Sequence, residues 1–432
     1  MNKLSIIILA AGEGSRMKSN LPKVLHKISG REMIYYSINE ALKISEDITV
    51  VLYHQSKMIE KVINKYFSNI KFIIQDHINY PGTGGALRNI KPKNEHTLVL
   101  NGDMPLIKSS ELEKIKLTNN ETIKISIFNL KNPSGYGRVI LKNNQVKEIV
   151  EEKDTTEKQK DIKNVNAGIY LFHTTFLIKN IIKLNNNNKQ KEYYITDLVS
   201  LAISNNHKVS YILVNENNFK GVNSKLDLTQ CEEIHQNRIK KEFLLNGVIM
   251  KLPNTIYIDQ SVIIKGESII ESGVSLLGNS KIINSNIKTN SIVEESIIED
   301  SSIGPIARIR PYSIIKNSKI GNYVEIKSSK LTKVKAGHLS YLGNSTIKEN
   351  TNIGAGTITC NYDGINKHST QIGKNVFIGS NTQLIAPLII EDDTIIAAGS
   401  TITKNIKKGQ LAISRPILKT IEGFYYKFFQ KK

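Results

Sequence analysis

The sequence predicts an α/β fold with a repetitive second half: a parallel sheet covered by helices, a connecting helix, then a parallel β-helix of hexapeptide repeats. Three observations carry this. Through residues 1–224 short apolar runs alternate with helix-like stretches, as in a sheet whose parallel strands are joined by crossover helices. Residues 225–246 contain neither Gly nor Pro and mix charged with apolar side chains, so a helix is expected over 225–247. Over residues 248–432 apolar residues recur six positions apart; a hexapeptide is one short strand plus a turn, and three of them make a triangular coil.

In chain order, the runs 6–9, 48–52, 70–74 and 97–100 are the expected strands, and residues 32–42 carry the first helical pattern. The apolar run 4–11 is too short for a signal peptide and has no small-residue cleavage site. It reads as a buried first strand, and no run approaches a membrane span in length. Four consecutive Asn at 185–188 read as a loop tip. In the second half Ile372, Ile378, Leu384, Ile390, Ile396 and Ile402 keep the six-residue frame strictly, with shorter runs at 264–282 and 303–315. Ile is followed by Gly at 303, 320, 353, 372 and 378; the Gly or Asn beside each buried residue is expected to supply the positive φ of a turn. The frame slips between Ile315 and Ile353, and a projecting loop is expected to absorb the slip. Breaks in a regular array are where function is often placed. A thin coil also leads us to expect lateral packing into an oligomer.

Lys and Arg number 59 against 39 Asp and Glu, a net charge of +20. The basic residues are scattered, Trp is absent, and no tract interleaves Arg with aromatics. The charge therefore reads as solvated faces and anionic small substrates, with no nucleic-acid partner and no membrane insertion. Cys231 and Cys360 are the only cysteines, which argues against a disulfide framework or a Cys-based zinc cage and fits a cytoplasmic location.

Chemistry is suggested at both ends. Leu9-Ala-Ala-Gly-Glu-Gly-Ser-Arg-Met17 follows the first strand directly. Its small residues allow close backbone approach, N–H groups ahead of a helix cradle phosphate, and Arg16 and Lys23 add cations. Gly82-Thr-Gly-Gly85 is a second Gly-rich loop. Asp103 follows the strand 97–100, at the carboxyl end where α/β sheets place ligands, and Asn223 can bring an amide oxygen to the same place. Asp, Asn and substrate phosphate oxygens make a plausible Mg²⁺ shell. In the second half, residues 335–364 interrupt the apolar frame with His338, two Tyr, several Asn and Gly-Ala-Gly. That composition packs poorly and suits a polar cleft with acid/base chemistry.

Taken in order, LAAGEGSRMKSNLPKVLH, PGTGGAL, NGD, GYGRVI, IVEEKD, VNAGIY and GVNSKLDL resemble the sugar-nucleotide pyrophosphorylases. IGPIARIRP, VEIK, KAGHLSYLG, NIGAGTITCNYDG and AISR extend the resemblance, from residue 4 to about 415, to the bifunctional N-acetylglucosamine-1-phosphate uridyltransferase/glucosamine-1-phosphate acetyltransferases. The resemblance implies a Rossmann-like nucleotidyltransferase domain at 1–224, a linker helix at 225–247, and a left-handed β-helix acetyltransferase domain with a C-terminal tail at 248–432. It also implies UTP, N-acetylglucosamine 1-phosphate, glucosamine 1-phosphate and acetyl-CoA as substrates, Mg²⁺ as cofactor and a homotrimer.

By motif, Leu9, Ala10, Ala11 and Gly12 would hold the uridine nucleotide, with Lys23 on its phosphates and Gln75, Gly82 and Thr83 beside the base. Arg16 would stabilise the departing pyrophosphate; Gly137, Glu151 and Asn166 would contact the amino sugar; Asp103 and Asn223 would hold Mg²⁺. His338 would be the general base for the amine, since an imidazole titrates near neutral pH. Arg310, Lys327, Tyr341 and Asn352 would bind the sugar phosphate, and Ala355, Asn361, Tyr362, Ser380, Ala398 and Arg415 the acetyl-CoA. Two positions depart from the family pattern: Asn101 stands where Tyr is usual and Gly85 where His is. The basic, aromatic tail after Arg415 shows little of the family's C-terminal sequence. The alternatives are a single-activity sugar-1-phosphate nucleotidyltransferase with a purely structural β-helix, and a basic scaffold protein.

Overall fold

The computed structural model describes residues 4–118 and 120–430. The chain divides into two compact units between His235 and Gln236, inside the helix Lys225–Leu245.

In the first unit the strand Leu4–Ala10 lies between Asp47–Leu52 and His96–Asn101, parallel to both, and Lys71–Ile74 continues the sheet beyond Asp47–Leu52. The helices Met33–Leu42 and Ser56–Asn64 lie in the crossovers between these strands. Ile6 and Ile8 enter one apolar cluster and Ile7 another. A strand covered on both faces must be apolar at every position, which is why it reads as an unbroken run. Chain order reverses across Leu4–Ala10, so the crevice at its carboxyl end is the topological switch point.

The sheet is mixed, not wholly parallel as expected. Asn164–His173 runs antiparallel to both His96–Asn101 and Glu121–Asn129. The cause is connectivity: Asn164 pairs with Asn129, the last residue of its strand, so the chain enters where the parallel strands finish and has to run back. The Gly82-Thr-Gly-Gly85 segment is also different from expectation. It is one turn of helix, and Gly85 belongs there on steric grounds, because a Cβ would fall 2.0 Å from the Tyr80 carbonyl oxygen.

The second unit is a parallel β-helix of the left-handed hexapeptide class with three sheets of ten, nine and eight short strands. Ile282, Ile298, Ile315, Leu331 and Ile347 stack in one sheet, so successive coils are 16, 17, 16 and 16 residues long. The next coil, Ile347 to Ile372, takes 25, and Ile372 to Ile390 takes 18. The slip between Ile315 and Ile353 is therefore not absorbed by a projecting loop. Corners drop a residue instead, and the loop projects later, at residues 361–369. Positive φ also falls elsewhere than on the Ile-Gly pairs. From Asn284 to Asn350 a non-Gly residue with φ of 40–66° recurs every five or six positions. Of the Ile-Gly glycines, only Gly304 has positive φ. Gly321, Gly354 and Gly379 answer to close stacking: a Cβ would lie 1.9, 2.6 and 2.4 Å from the neighbouring coil's backbone.

Buried serines hold the short coils together. Ser301 donates to the Glu299 carbonyl at 2.7 Å and accepts from the Ser318 N–H at 3.0 Å, and Ser285 and Ser318 repeat the arrangement. The interior column of Ile, Leu and Val is almost fully buried, each side chain contributing about 1.5–3 kcal/mol. In the helix Lys225–Leu245, Glu232 accepts from the Ser29 N–H at 3.0 Å in the first unit. In the second, the Gln236 amide bonds both ways to the Ile258 backbone, at 2.7 and 3.0 Å.

Candidate active sites

At the switch point, the loop after Leu4–Ala10, the turn Gly82–Gly85 and the segment after Asn101 enclose a cleft of about 540 Å³. Leu9, Ala10, Ala11, Gly12, Lys23, Gln75, Gly82, Thr83, Asp103, Gly137, Asn166 and Asn223 all line it. Arg16 and Glu151 are not in the lining but adjoin it. Arg16 Nη2 donates to Asn223 Oδ1 at 2.9 Å, and Glu151 Oε2 is 3.5 Å from where a Gly137 Cβ would sit.

Lys23 follows Pro22 in a short 3₁₀ turn, and its stem packs on Gly14, where a Cβ would come within 2.7 Å of it. This aims the ammonium at Asp103, with which it is ion-paired, and at Asn223 Oδ1, 3.3 Å away. One cation thus already meets both oxygens named as metal ligands. Gln75 is buried, and its Nε2 donates to the carbonyls of Tyr80 and Gly82 at 2.9 and 3.0 Å. Both amide hydrogens are used, and Oε1 has no partner among the described residues. Asn101, where the family often has Tyr, donates to the Gly168 carbonyl at 3.3 Å.

Asn166 is also committed: Nδ2 donates to Tyr170 Oη at 2.5 Å and Oδ1 accepts from the Gly168 N–H at 3.0 Å. Desolvation, with smaller repulsion from Asp197, Asp154 and Glu192, holds the Glu151 carboxyl above its usual range despite a hydrogen bond from Thr196. Burial, then Asp227 and Glu216, pushes the Tyr136 phenol on the cleft wall up to about 12.

In the β-helix the register sets one corner apart. Ile320, Ala336, Ile353, Ile378 and Ile396 stack, so the residues two further on, Asn322, His338, Ala355, Ser380 and Ala398, follow one another up that corner. Asn381 N–H donates to the Ala355 carbonyl at 2.7 Å, Gly399 N–H to that of Ser380 at 2.8 Å, and Arg415 Nη1 to that of Ala398 at 3.0 Å. His338 Nδ1 is 2.7 Å from Asn322 Oδ1.

Arg310 and Lys327 lie on successive coils of the next sheet, where Arg310 N–H donates to the Ile326 carbonyl at 2.8 Å and its guanidinium to Glu325 at 2.8 Å. Tyr341 is in register with Glu325 in that sheet, and Asn352 with Lys335 in the sheet that carries His338. Lys367, which no motif singled out, faces Lys327; that contact, then Arg310, holds the Lys327 ammonium below its usual value. Cations crowded in this way repel one another, which is what lowers the Lys327 value. Lys367 belongs to the projecting loop. Asn361 donates to Asn344 at 2.7 Å, Tyr362 caps the Gly364 carbonyl at 2.5 Å, and hydrogen bonds from His368 and the N–H groups of Asn366 and Ile365 hold Asp363 well below the carboxylate range.

A cleft lined by glycine-rich turns at the switch point and a hexapeptide β-helix with a polar corner define a nucleotidyltransferase joined to a hexapeptide transferase. Residues 5–226 match the nucleotidyl transferase family and 369–404 the bacterial transferase hexapeptide (six repeats) family. The chain is 64% identical to the bifunctional protein GlmU of Aliarcobacter butzleri (strain RM4018) over 432 residues, the whole of both chains. It is 54% identical to that of Wolinella succinogenes over 426 residues, 99% of each chain, and 48% identical to that of Campylobacter jejuni (strain RM1221) over 429 residues, 99% of this chain and all of the other. The chain belongs to the bifunctional GlmU family. It is a two-activity transferase of UDP-N-acetylglucosamine synthesis, with acetyltransferase and uridyltransferase in one chain.

Proposed function

We propose that the switch-point cleft is the uridyl-transfer site and the corner at His338 the acetyl-transfer site. Glucosamine 1-phosphate is acetylated at the corner, and N-acetylglucosamine 1-phosphate is then joined to UMP from UTP in the cleft. The domains run 1–224 and 248–432, with the helix 225–247 between them, in a cytoplasmic homotrimer. The outward ladder Phe377, Ile395 and Leu411, each at least half exposed, supports packing against a second copy.

In the cleft, the observation that carries this reading is the convergence of Lys23, Asp103, Asn223 and Arg16 beside a Gln75 with only an acceptor to spare. The Gln75 oxygen accepts the uracil N3–H, a hydrogen that cytosine lacks. Small side chains at Ala10, Ala11 and Gly12 let backbone N–H groups reach the phosphates. Lys23 and Arg16 neutralise the β- and γ-phosphates. The sugar phosphate oxygen attacks the α-phosphorus in line, the bond from that phosphorus to the β-bridging oxygen breaks, and pyrophosphate leaves against Arg16. Gly137, Glu151 and Asn166 hold the sugar. Asp103 and Asn223 offer two hard oxygens to one position, which fits Mg²⁺; when bound, it would neutralise phosphate charge.

At the corner, His338 takes a proton from the amine, whose lone pair attacks the thioester carbonyl. The C–S bond breaks and the thiolate of CoA takes up the proton. Arg310, Lys327, Tyr341 and Asn352, with Lys367 added, hold the sugar phosphate. The column Ala355, Ser380 and Ala398, with Asn361, Tyr362 and Arg415, holds acetyl-CoA. One coupled assay with glucosamine 1-phosphate, acetyl-CoA, UTP and Mg²⁺ tests the whole. UDP-N-acetylglucosamine together with stoichiometric CoA thiol is expected; UDP-sugar formation from N-acetylglucosamine 1-phosphate alone, with no thiol release, would leave only the single-activity reading.

A further inference from the structure

An imidazole acts as a base only through a nitrogen that carries no proton, so its tautomer has to be set by what the other nitrogen meets. His338 ends the strand Lys335–His338 and lies directly over Asn322, its register partner on the preceding coil. The side chains meet, with Nδ1 2.7 Å from Asn322 Oδ1. The backbones are tied as well: Leu339 N–H donates to the Asn322 carbonyl at 3.1 Å. Leu339 does so from φ 47°, a left-handed conformation that costs a non-glycine residue about 1–2 kcal/mol. One position earlier, a Cβ on Gly321 would lie 1.9 Å from the Gly337 carbonyl oxygen. Glycine there lets the two coils close up just before the pair. Among the described residues no ion pair involves His338, and the partner of its ring is a neutral amide.

We propose that Asn322 is a positioning residue for acetyl transfer. Its amide oxygen accepts the Nδ1 proton of His338, which fixes the ring as the Nδ1–H tautomer and leaves the Nε2 lone pair as the proton acceptor. A neutral amide does this without adding a charge that would over-stabilise the imidazolium, which must give its proton up again to the leaving thiolate. The inference rests on His338 being the base.

The test uses full-length Asn322→Ala, Asn322→Asp and His338→Ala proteins, with uridyl transfer by each as the check on folding. Asn322→Ala is expected to lower kcat for acetyl transfer about 10–100-fold, by analogy with the cost of losing a partner that orients a metal-ligating His. KM for glucosamine 1-phosphate and for acetyl-CoA should stay within about twofold, since Asn322 binds neither. Asn322→Asp restores the acceptor and should recover much of kcat, while its carboxylate moves the acidic limb of kcat/KM to higher pH. Unchanged kcat in Asn322→Ala with an inactive His338→Ala protein would overturn the positioning role alone. Acetyl transfer retained by His338→Ala would overturn the base assignment instead. If Asn322→Ala fails to fold, Asn322→Asp decides: an active protein with an unmoved acidic limb refutes the contact.

Discussion

The Lys23 ammonium is ion-paired to the Asp103 carboxylate, and the same nitrogen is 3.3 Å from Asn223 Oδ1. A side-chain cation thus sits between the two oxygens proposed to hold Mg²⁺; if they do hold it, metal and lysine would compete for one position, and a displaced Lys23 would be free to turn to the nucleotide phosphates. We expect Lys23→Met to bind Mn²⁺ several-fold more tightly without nucleotide, measured by the EPR signal of the free ion. Uridyl transfer should fall at least about 100-fold, because a phosphate-neutralising charge is gone. Unchanged Mn²⁺ affinity would show that the two cations do not share the position.

Gln75 spends both amide hydrogens on the Tyr80 and Gly82 carbonyls, at 2.9 and 3.0 Å. Only its oxygen is left for a base. Preference for UTP over CTP, as a ratio of kcat/KM, should therefore drop about 10-fold or more in Gln75→Leu, chiefly by loss on UTP. A preserved ratio would place base recognition on the backbone instead.

Glu151 is held above the ordinary carboxyl range chiefly by desolvation. If the sugar hydroxyls are bound by its ionised form, the sign follows. That form is present above the raised pKa and is lost as pH falls through it. KM for N-acetylglucosamine 1-phosphate should rise on acidification at pH values above those where a free Glu titrates, and Glu151→Gln should flatten that limb. A limb that persists in Glu151→Gln belongs to another group.

Gly321→Ala would set a methyl group 1.9 Å from the Gly337 carbonyl oxygen. Backbone has to move, at a cost of about 1–3 kcal/mol, and His338 is one residue further on. We expect a lower midpoint for the β-helix transition in urea and a selective loss of acetyl transfer. Gly337→Ala, whose Cβ would meet nothing within 4 Å, is the milder control.

Much of this architecture is legible in the sequence, because strands covered on both faces must be apolar at every position and 18-residue coils keep a six-residue frame. The runs at 6–9, 48–52 and 97–100 lie in strands of the sheet, as does 70–74 from Lys71 onward, and the six-residue column from Ile372 to Ile402 points inward. The shorter coils obscure the period: a residue dropped at a corner shifts the frame by one while the inward Ile keeps its place in the stack. Their signature is a buried Ser two positions before the inward residue, as in Ser285–Ile287, Ser301–Ile303 and Ser318–Ile320. The direction of Asn164–His173 was not legible, since a strand's residues do not say which way it is fed. Asn322 and Lys367 escaped because their roles come from stacking across 16 residues and from a loop folding back, not from local sequence.

Two separable sites in one chain is the central claim, and mixing two crippled proteins tests it most directly. Asp103→Ala should acetylate but not uridylate, and His338→Ala the reverse. Neither alone should make UDP-N-acetylglucosamine from glucosamine 1-phosphate, acetyl-CoA, UTP and Mg²⁺. Mixed in equal amounts, they should make it, because the acetylated sugar phosphate diffuses from one site to the other. A mixture that stays inactive while each protein keeps its own half-reaction would contradict a freely passed intermediate, and loss of both half-reactions in either folded protein would contradict separate sites.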